Sequence, residues 1–354
     1  MCERNYCMKA AIVILNWNGA DMMKSYLPSV INNSKMNGVE VIVADNGSTD
    51  DSVNMLKAEF PDIPIICLKQ NLGFAKGYNT ALKQIDAEYY VLLNSDVEIK
   101  DNMWITPILE FMDNNIDVAA CQPKLLSLKQ PQFFEYAGAA GGFIDKYGFP
   151  FCRGRILATV EMDNGQYDQP AEVMWASGAA LVVRKDDFWN VGGLDDDFFA
   201  HMEEIDLCWR LRAAGKKIMA LPCSRVYHLG GASLNQGNPR KTYLNFRNNL
   251  IMLFKNLDDN DLKRVMRIRK CLDLIAACSF FIKGDLPNCK SVFKARKDFN
   301  KLKNKLLDKR MNIKKFKVQN KSKLCDFSII WQYYFKRRKT FDKLPFDNNL
   351  FLSH

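Results

Sequence analysis

Through the first hundred residues, short apolar runs alternate with stretches whose apolar positions recur at helical spacing. "AAIVIL" (10–15), "VEVIVA" (39–44), "IPIICL" (63–68) and "YYVLL" (89–93) read as strands. Between them, Asp21 to Ile31, "DSVNMLKAEF" (51–60) and "GYNTALKQI" (77–85) read as helices, and Ser48 or Asp50 is placed to cap the second. Strand and helix in strict alternation predict an α/β fold, a mostly parallel sheet with helices on both faces. From about Met103 to Asp168 the pattern breaks into shorter pieces rich in Gly and aromatics, such as "YAGAAGGFIDKYGFPF". Strand signal returns in "EVMWASGAALVVRK". The helix "MEEIDLCWRLRAAGKK" follows, ended by Gly215, and "IMALP" and "RVYHLGGAS" close the body.

In sheets of this kind ligands gather beyond the carboxyl ends of the strands. Three polar clusters fall there: Asn16-Trp17-Asn18-Gly19, Asp45-Asn46-Gly47-Ser48 and Asn94-Ser95-Asp96. Singly, Asp45 is explained as well by turn chemistry as by ligand binding. Together the clusters collect on one edge, which turns alone do not require. No glycine-rich phosphate loop follows any strand, so phosphates would need another holder, for which a divalent metal is the obvious substitute.

The helix from Met202 raises a second question of polarity. Glu204 falls among Leu207, Cys208 and Leu211, whereas Glu203 shares a stripe with Asp206 and Arg210. The latter three fit a solvated ion-pair ladder. Glu204, a charge on the face that should pack, fits a general base, ionised at neutral pH yet poorly hydrated. His228 ends a strand just before Gly230-Gly231; it is either a packed histidine or, with Asp96 at a neighbouring strand end, half of a Mg2+ or Mn2+ site completed by phosphate oxygens.

With 354 residues, 48% of them hydrophobic, the chain can bury a substantial core and has the composition of a globular protein. Its eleven cysteines include no C-x-x-C pair and no signal-peptide pattern precedes them, which points to a reducing cytoplasm. The net charge of +10 divides unevenly. Residues 255–354 hold 26 Lys/Arg against 10 Asp/Glu, leaving 24 against 30 for the rest. The division predicted is a body over 1–250 and a basic, mainly helical extension over 251–354. Within 262–283, Val265, Ile268, Leu272 and Ile275 share one face, and Lys263, Arg267 and Lys270 another. That helix either packs on the body or lies on an anionic membrane surface. No apolar stretch is long enough to span a bilayer. No nucleic-acid motif accompanies the charge, so no nucleic-acid partner is expected.

The segments "VILNWNG", "VIVADNGSTDDS", "QNLGFAKGYNTAL", "LLNSDVEI", "ASGAALVVRK", "GGLDDDFFAHMEEIDLCWR" and "VYHLGGAS" together resemble glycosyltransferase family 2, the inverting enzymes of the GT-A fold, in particular its rhamnosyltransferase-like branch. The resemblance covers about residues 9–235. It implies a donor side in which Asp45 meets the nucleotide of a nucleotide-sugar, with Asn16 and Gly77 in the matching loops. Asn94-Ser95-Asp96 stands for the family's D-x-D element, in which Asp96 meets metal and diphosphate. It implies that His228 completes the metal site, and that Glu203-Glu204 is the acidic pair whose second member is the base. Two positions depart from the family pattern: Asn94 replaces an aspartate, and Glu204 replaces the customary aspartate with a side chain one methylene longer. The segment 103–168 then falls on the acceptor side. The partners implied are a dTDP- or UDP-linked sugar donor and a saccharide or polyprenyl-diphosphate-linked acceptor. The place implied is the cytoplasmic face of the membrane, in surface polysaccharide synthesis. Two readings compete: a nucleotidyltransferase, which should show a glycine-rich loop where this chain has "NWNG", and a non-catalytic nucleotide-sugar or anionic-lipid binding module, which should bind without transfer.

Overall fold

The computed structural model describes residues 8–230, 237–318 and 324–346; Gly231, Ala232 and Ser233 of "VYHLGGAS" lie outside the described residues. The elements β1 (Met8–Asn16), α1 (Ala20–Asn33), β2 (Val39–Asp45), α2 (Ser52–Glu59), β3 (Ile65–Cys67), α3 (Gly73–Leu82) and β4 (Ala87–Leu93) follow one another as the periodicity predicts. β1 lies in parallel between β2 and β4, and β2 pairs in parallel with β3. Alternate residues of β1 serve opposite faces: Ala11 and Val13 pack with Tyr78 and Leu82 of α3, while Ile12 and Ile14 pack with Met23 and Leu27 of α1.

The region that the pattern left irregular holds β5 (Val97–Glu98), α4 (Thr106–Asn114) and β6 (Val118–Ser127), a central strand. Its sequence, VAACQPKLLS, hides it, because Gln122, Pro123 and Lys124 do not read as strand interior. All three are buried with partners or a register break. Gln122 accepts from the Ser177 amide at 2.9 Å. Lys124 pairs with Asp163 and Asp168. Pro123 adjoins the shift that lets one strand bulge against its neighbour.

Next come the small antiparallel sheet of β7 (Gly142–Ile144), β8 (Pro150–Cys152), β9 (Arg155–Ile156) and β10 (Thr159–Val160), then β11 (Ala171–Glu172), β12 (Ala180–Arg184), α5 (Lys185–Asn190), α6 (Glu203–Ala213) and β13 (Lys217–His228). The large sheet runs β11-β13-β6-β12-β4-β1-β2-β3, with β5 paired to β13. β12 is antiparallel to both β4 and β6, so "EVMWASGAALVVRK" is a loop and a reversed strand between two parallel blocks.

Three long helices follow: α7 (Pro239–Asn256), α8 (Asp259–Ile282) and α9 (Leu286–Phe316). The expected boundary at 250/251 falls within α7, where Leu250, Ile251, Met252 and Leu253 are fully buried in the core. The extension is also tied to the body by charge. Lys255 and Lys309 both reach Asp195, and Lys305 and Lys309 hold Asp197 at 2.6 and 2.7 Å. Part of the basic excess thus neutralises the acidic loop ahead of α6. No helix among the described residues is long and apolar enough to cross a membrane.

Candidate active site

The carboxyl edge of the large sheet brings the predicted residues together. At the end of β1, Asn16 is fully buried and donates to Asp45 Oδ1 at 3.1 Å, while Asp45 Oδ2 accepts the Ser48 amide at 2.9 Å. Asp45 therefore does perform the turn chemistry read from "DNGS", and its neighbour extends the network. Asn46 donates to Asn71 and to the Gly73 carbonyl and accepts from the Leu72 amide. Gly77 lies behind Asn46 of this network. It is buried in α3, where a Cβ would stand 3.0 Å from Leu15 and 3.1 Å from Asn46, so its smallness sets the helix-to-strand spacing behind the donor loop.

Asp96 and His228 meet directly. Just past β4, Asp96 Oδ1 lies 3.0 Å from His228 Nε2, and Asn94 Nδ2 lies 3.2 Å from the same nitrogen. On its other side His228 Nδ1 faces Glu135 Oε1 at 3.3 Å. Glu135, buried in the loop after β6, was not singled out from sequence, because "FFEYAG" carries no periodic or motif signal. Burial alone would lower the histidine, but the carboxylates of Asp96 and Glu135 push it up to about 10. Burial would likewise raise Asp96, and the His228 hydrogen bond and charge bring it below the usual carboxylate range.

Among the described residues no three His, Cys, Asp or Glu side chains form a complete metal cage. One carboxylate oxygen and one imidazole nitrogen fit a divalent ion whose remaining ligands come from diphosphate and water. A metal there would have to displace the proton that His228 holds between its two carboxylates.

The glutamates follow a strained loop. Phe199, His201 and Met202 all have positive φ (64°, 70° and 74°), an unusual concentration for non-glycine residues. Asn248 of α7, fully buried, holds it by donating to the carbonyls of Phe198, Ala200 and His201 at 2.9, 2.8 and 2.8 Å. Phe199 in turn accepts from the Phe74 amide at 2.6 Å, which joins this loop to the start of α3. Glu204 stands over the loop before β12: a Cβ on Gly178 would be 3.6 Å from its Cβ and 3.4 Å from the Phe74 ring. The next residue, Ala179, accepts from the Asn94 amide at 3.0 Å.

The ion-pair ladder expected for Glu203, Asp206 and Arg210 is corrected: all three are buried. Asp206 accepts from Arg210 at 2.8 Å, Lys255 at 2.9 Å and Asn256 at 2.8 Å, a junction between α6 and α7 rather than a solvated stripe. Glu203 and Glu204 each keep a buried carboxylate oxygen without a hydrogen-bond partner. Burial pushes Glu204 up to about 7 against the opposing backbone amides of the helix start, and burial together with the charge of Glu204 raises Glu203 well above the usual carboxylate range. At Glu204 desolvation outweighs the helix terminus.

Residues 11–137 match the model of glycosyl transferase family 2. Over those residues the chain is similar to the family 2 glycosyltransferases. The N-acetylglucosaminyl-diphospho-decaprenol L-rhamnosyltransferase of Mycobacterium tuberculosis is 27% identical over 212 residues, 54% of this chain and 66% of its own length. The O-antigen biosynthesis protein RfbC of Myxococcus xanthus is 23% identical over 64% of this chain and only 18% of itself. The chain therefore spans less than two thirds of the length of these relatives. Among solved structures, S. aureus TarS 1-349 in complex with UDP aligns over 87% of this chain and 89% of its own, with a TM-score of 0.54 at 15% identity. GalNAc-T7 with UDP, GalNAc and Mn2+ aligns over 73% of this chain and 49% of its own, with a TM-score of 0.56 at 15% identity. The fold is the GT-A fold.

Proposed function

We propose that this chain is an inverting glycosyltransferase that moves a sugar from a nucleoside-diphosphate donor to a saccharide or polyprenyl-diphosphate-linked acceptor at the cytoplasmic face of a membrane. The observation that supports it most is the Glu203-Glu204 pair at the start of α6, Glu203 buried and Glu204 half-buried, linked through Gly178 and Ala179 to the edge that carries Asn94 and Asp96. Glu204 takes the proton of an acceptor hydroxyl. The freed oxygen attacks the anomeric carbon, the bond from that carbon to the diphosphate oxygen breaks, and the nucleoside diphosphate leaves with the electron pair. One displacement inverts the anomeric centre, so one base suffices. Burial and the neighbouring charge of Glu204 raise Glu203 beside that base.

Asp45, with Asn16 fixing its carboxylate, is the proposed contact to the donor's nucleotide. Asp96 and His228 would hold a Mg2+ or Mn2+ ion, which when bound offsets the charge developing on the leaving diphosphate. The names of the Mycobacterium and Myxococcus relatives favour a rhamnosyl donor and surface polysaccharide synthesis as the first readings to test. The test is thermal stabilisation by a panel of dTDP-, UDP- and GDP-sugars with and without Mn2+. A rise in melting temperature with one donor class, dependent on Mn2+, is expected; no rise with any donor would overturn the donor-site assignment.

A further inference from the structure

The helix α8 departs from the expected face at one end. Its buried stripe is Val265, Arg269, Asp273 and Ala277, Lys263, Arg267 and Lys270 are exposed as expected, and Ile275, grouped by sequence with Val265, is 64% exposed. Asp273 accepts from Arg269 at 3.3 Å and from Arg296 of α9, and Arg269 also stacks on Phe149 at 3.9 Å. These buried pairs fix the rotation of the helix, since rolling its apolar face inward would strip Asp273 of both partners.

The outward stripe is therefore held apolar by design of the packing. Leu274 and Phe281, and Ile275 and Ile282, are each seven residues apart and so share one side of the helix, and Ile282 is 82% exposed. Across the turn into α9, Leu286 and Phe293 continue the exposed apolar surface. The N-terminal half of the same outward face carries exposed Lys263, Arg267 and Lys270, and Lys283 and Lys290 flank the tip. The only acids from 270 to 297 are Asp273, buried in its arginine pairs, and Asp285, which caps α9 through the Asn288 amide.

We propose that the α8–α9 hairpin is a bilayer-insertion element, its apolar tip entering the acyl boundary of an anionic membrane while the lysine and arginine collar meets the headgroups. This names the surface used, and rests on the reading of the protein as one that works at a membrane. A second copy is the poorer occupant, because a two-fold contact would set one basic collar against another. An anionic bilayer complements both features at once: apolar area for the tip and negative surface potential for the collar.

The experiment is flotation of the full chain with phosphatidylcholine vesicles, with and without about one-third phosphatidylglycerol. Wild type should float with the anionic vesicles only. The triple variant Ile275→Ser, Phe281→Ser, Ile282→Ser should bind them roughly tenfold more weakly or worse, with an unchanged melting temperature because these side chains are exposed. Lys263→Glu with Lys270→Glu should also lose binding. If the triple variant floats like wild type, the protein uses a membrane through another surface and the hairpin assignment fails. If wild type floats with neither vesicle, the membrane reading fails with it. A dimer in sedimentation velocity that the triple variant abolishes would make the tip a self-association surface and overturn the proposal.

Discussion

Replacing Glu204 with glutamine removes a carboxylate that the fold keeps reluctant to ionise, so it should stabilise the protein while disabling it. The group titrates near 7 when folded and near 4.5 when unfolded. Its folded-state pKa is the higher, so its stabilising contribution is complete below about 4.5 and is lost as pH rises through about 7. At about 1.4 kcal/mol per pH unit that interval is worth roughly 3 kcal/mol. Partial solvent access at Glu204 reduces it to about 1–3 kcal/mol. Urea unfolding of wild type and Glu204→Gln at pH 5, 6, 7 and 8 measures it directly. The two curves should nearly coincide at pH 5 and separate as pH rises, the glutamine variant being the more stable. A difference that is absent at pH 8, or that grows toward acid pH, would refute the claim that burial raises this carboxyl. The same titration sets catalysis: wild-type kcat/KM should fall with an acid limb near pH 7, since the base must be deprotonated.

Other outcomes follow from individual contacts. Asn248→Ala takes the side-chain donor from the carbonyls of Ala200 and His201, while that of Phe198 keeps Arg247, and should cost about 1–3 kcal/mol in urea unfolding while lowering kcat more than donor affinity. Asp206→Ala takes the carboxylate from buried Arg210 and leaves Lys255 with Asp195 alone, so a loss of about 3 kcal/mol in urea unfolding is expected, larger than for any exposed carboxylate. Gly73 has φ of 78°, and a Cβ would stand 2.6 Å from the Phe199 ring; Gly73→Ala should therefore destabilise the chain and weaken transfer together, checked by melting and by turnover. Because Asn94 brings no charge to the Asp96–His228 pair, calorimetry should find weak Mn2+ binding alone and tighter binding with donor; tight binding to the donor-free protein would contradict that site.

The four leading strands were legible because each is a continuous apolar run in a doubly covered sheet, and the turn residues at their ends marked the functional edge. β6 was not, since the partners that make Gln122 and Lys124 acceptable inside it come from residues 163 to 177. The same physics misled the reading of α6: Asp206 and Arg210 look like surface charges in sequence, and only their mutual pairing and Lys255 of α7 show that they are buried. Glu204 could be read, because it was a lone charge among apolar positions of one helix. Glu135 and Asn248 could not, because what makes each of them important is a contact with a residue far away in sequence: His228 for the first, the carbonyls of 198 to 201 for the second.

Donor binding and sugar transfer measured on the same preparations of wild type and Glu204→Gln bear most directly on the proposed role of Glu204. The account predicts a donor dissociation constant within about twofold of wild type and transfer lowered by about a hundredfold or more, with a product of inverted anomeric configuration from the wild type. Near wild-type turnover by the glutamine variant, or a product that retains configuration, would contradict it.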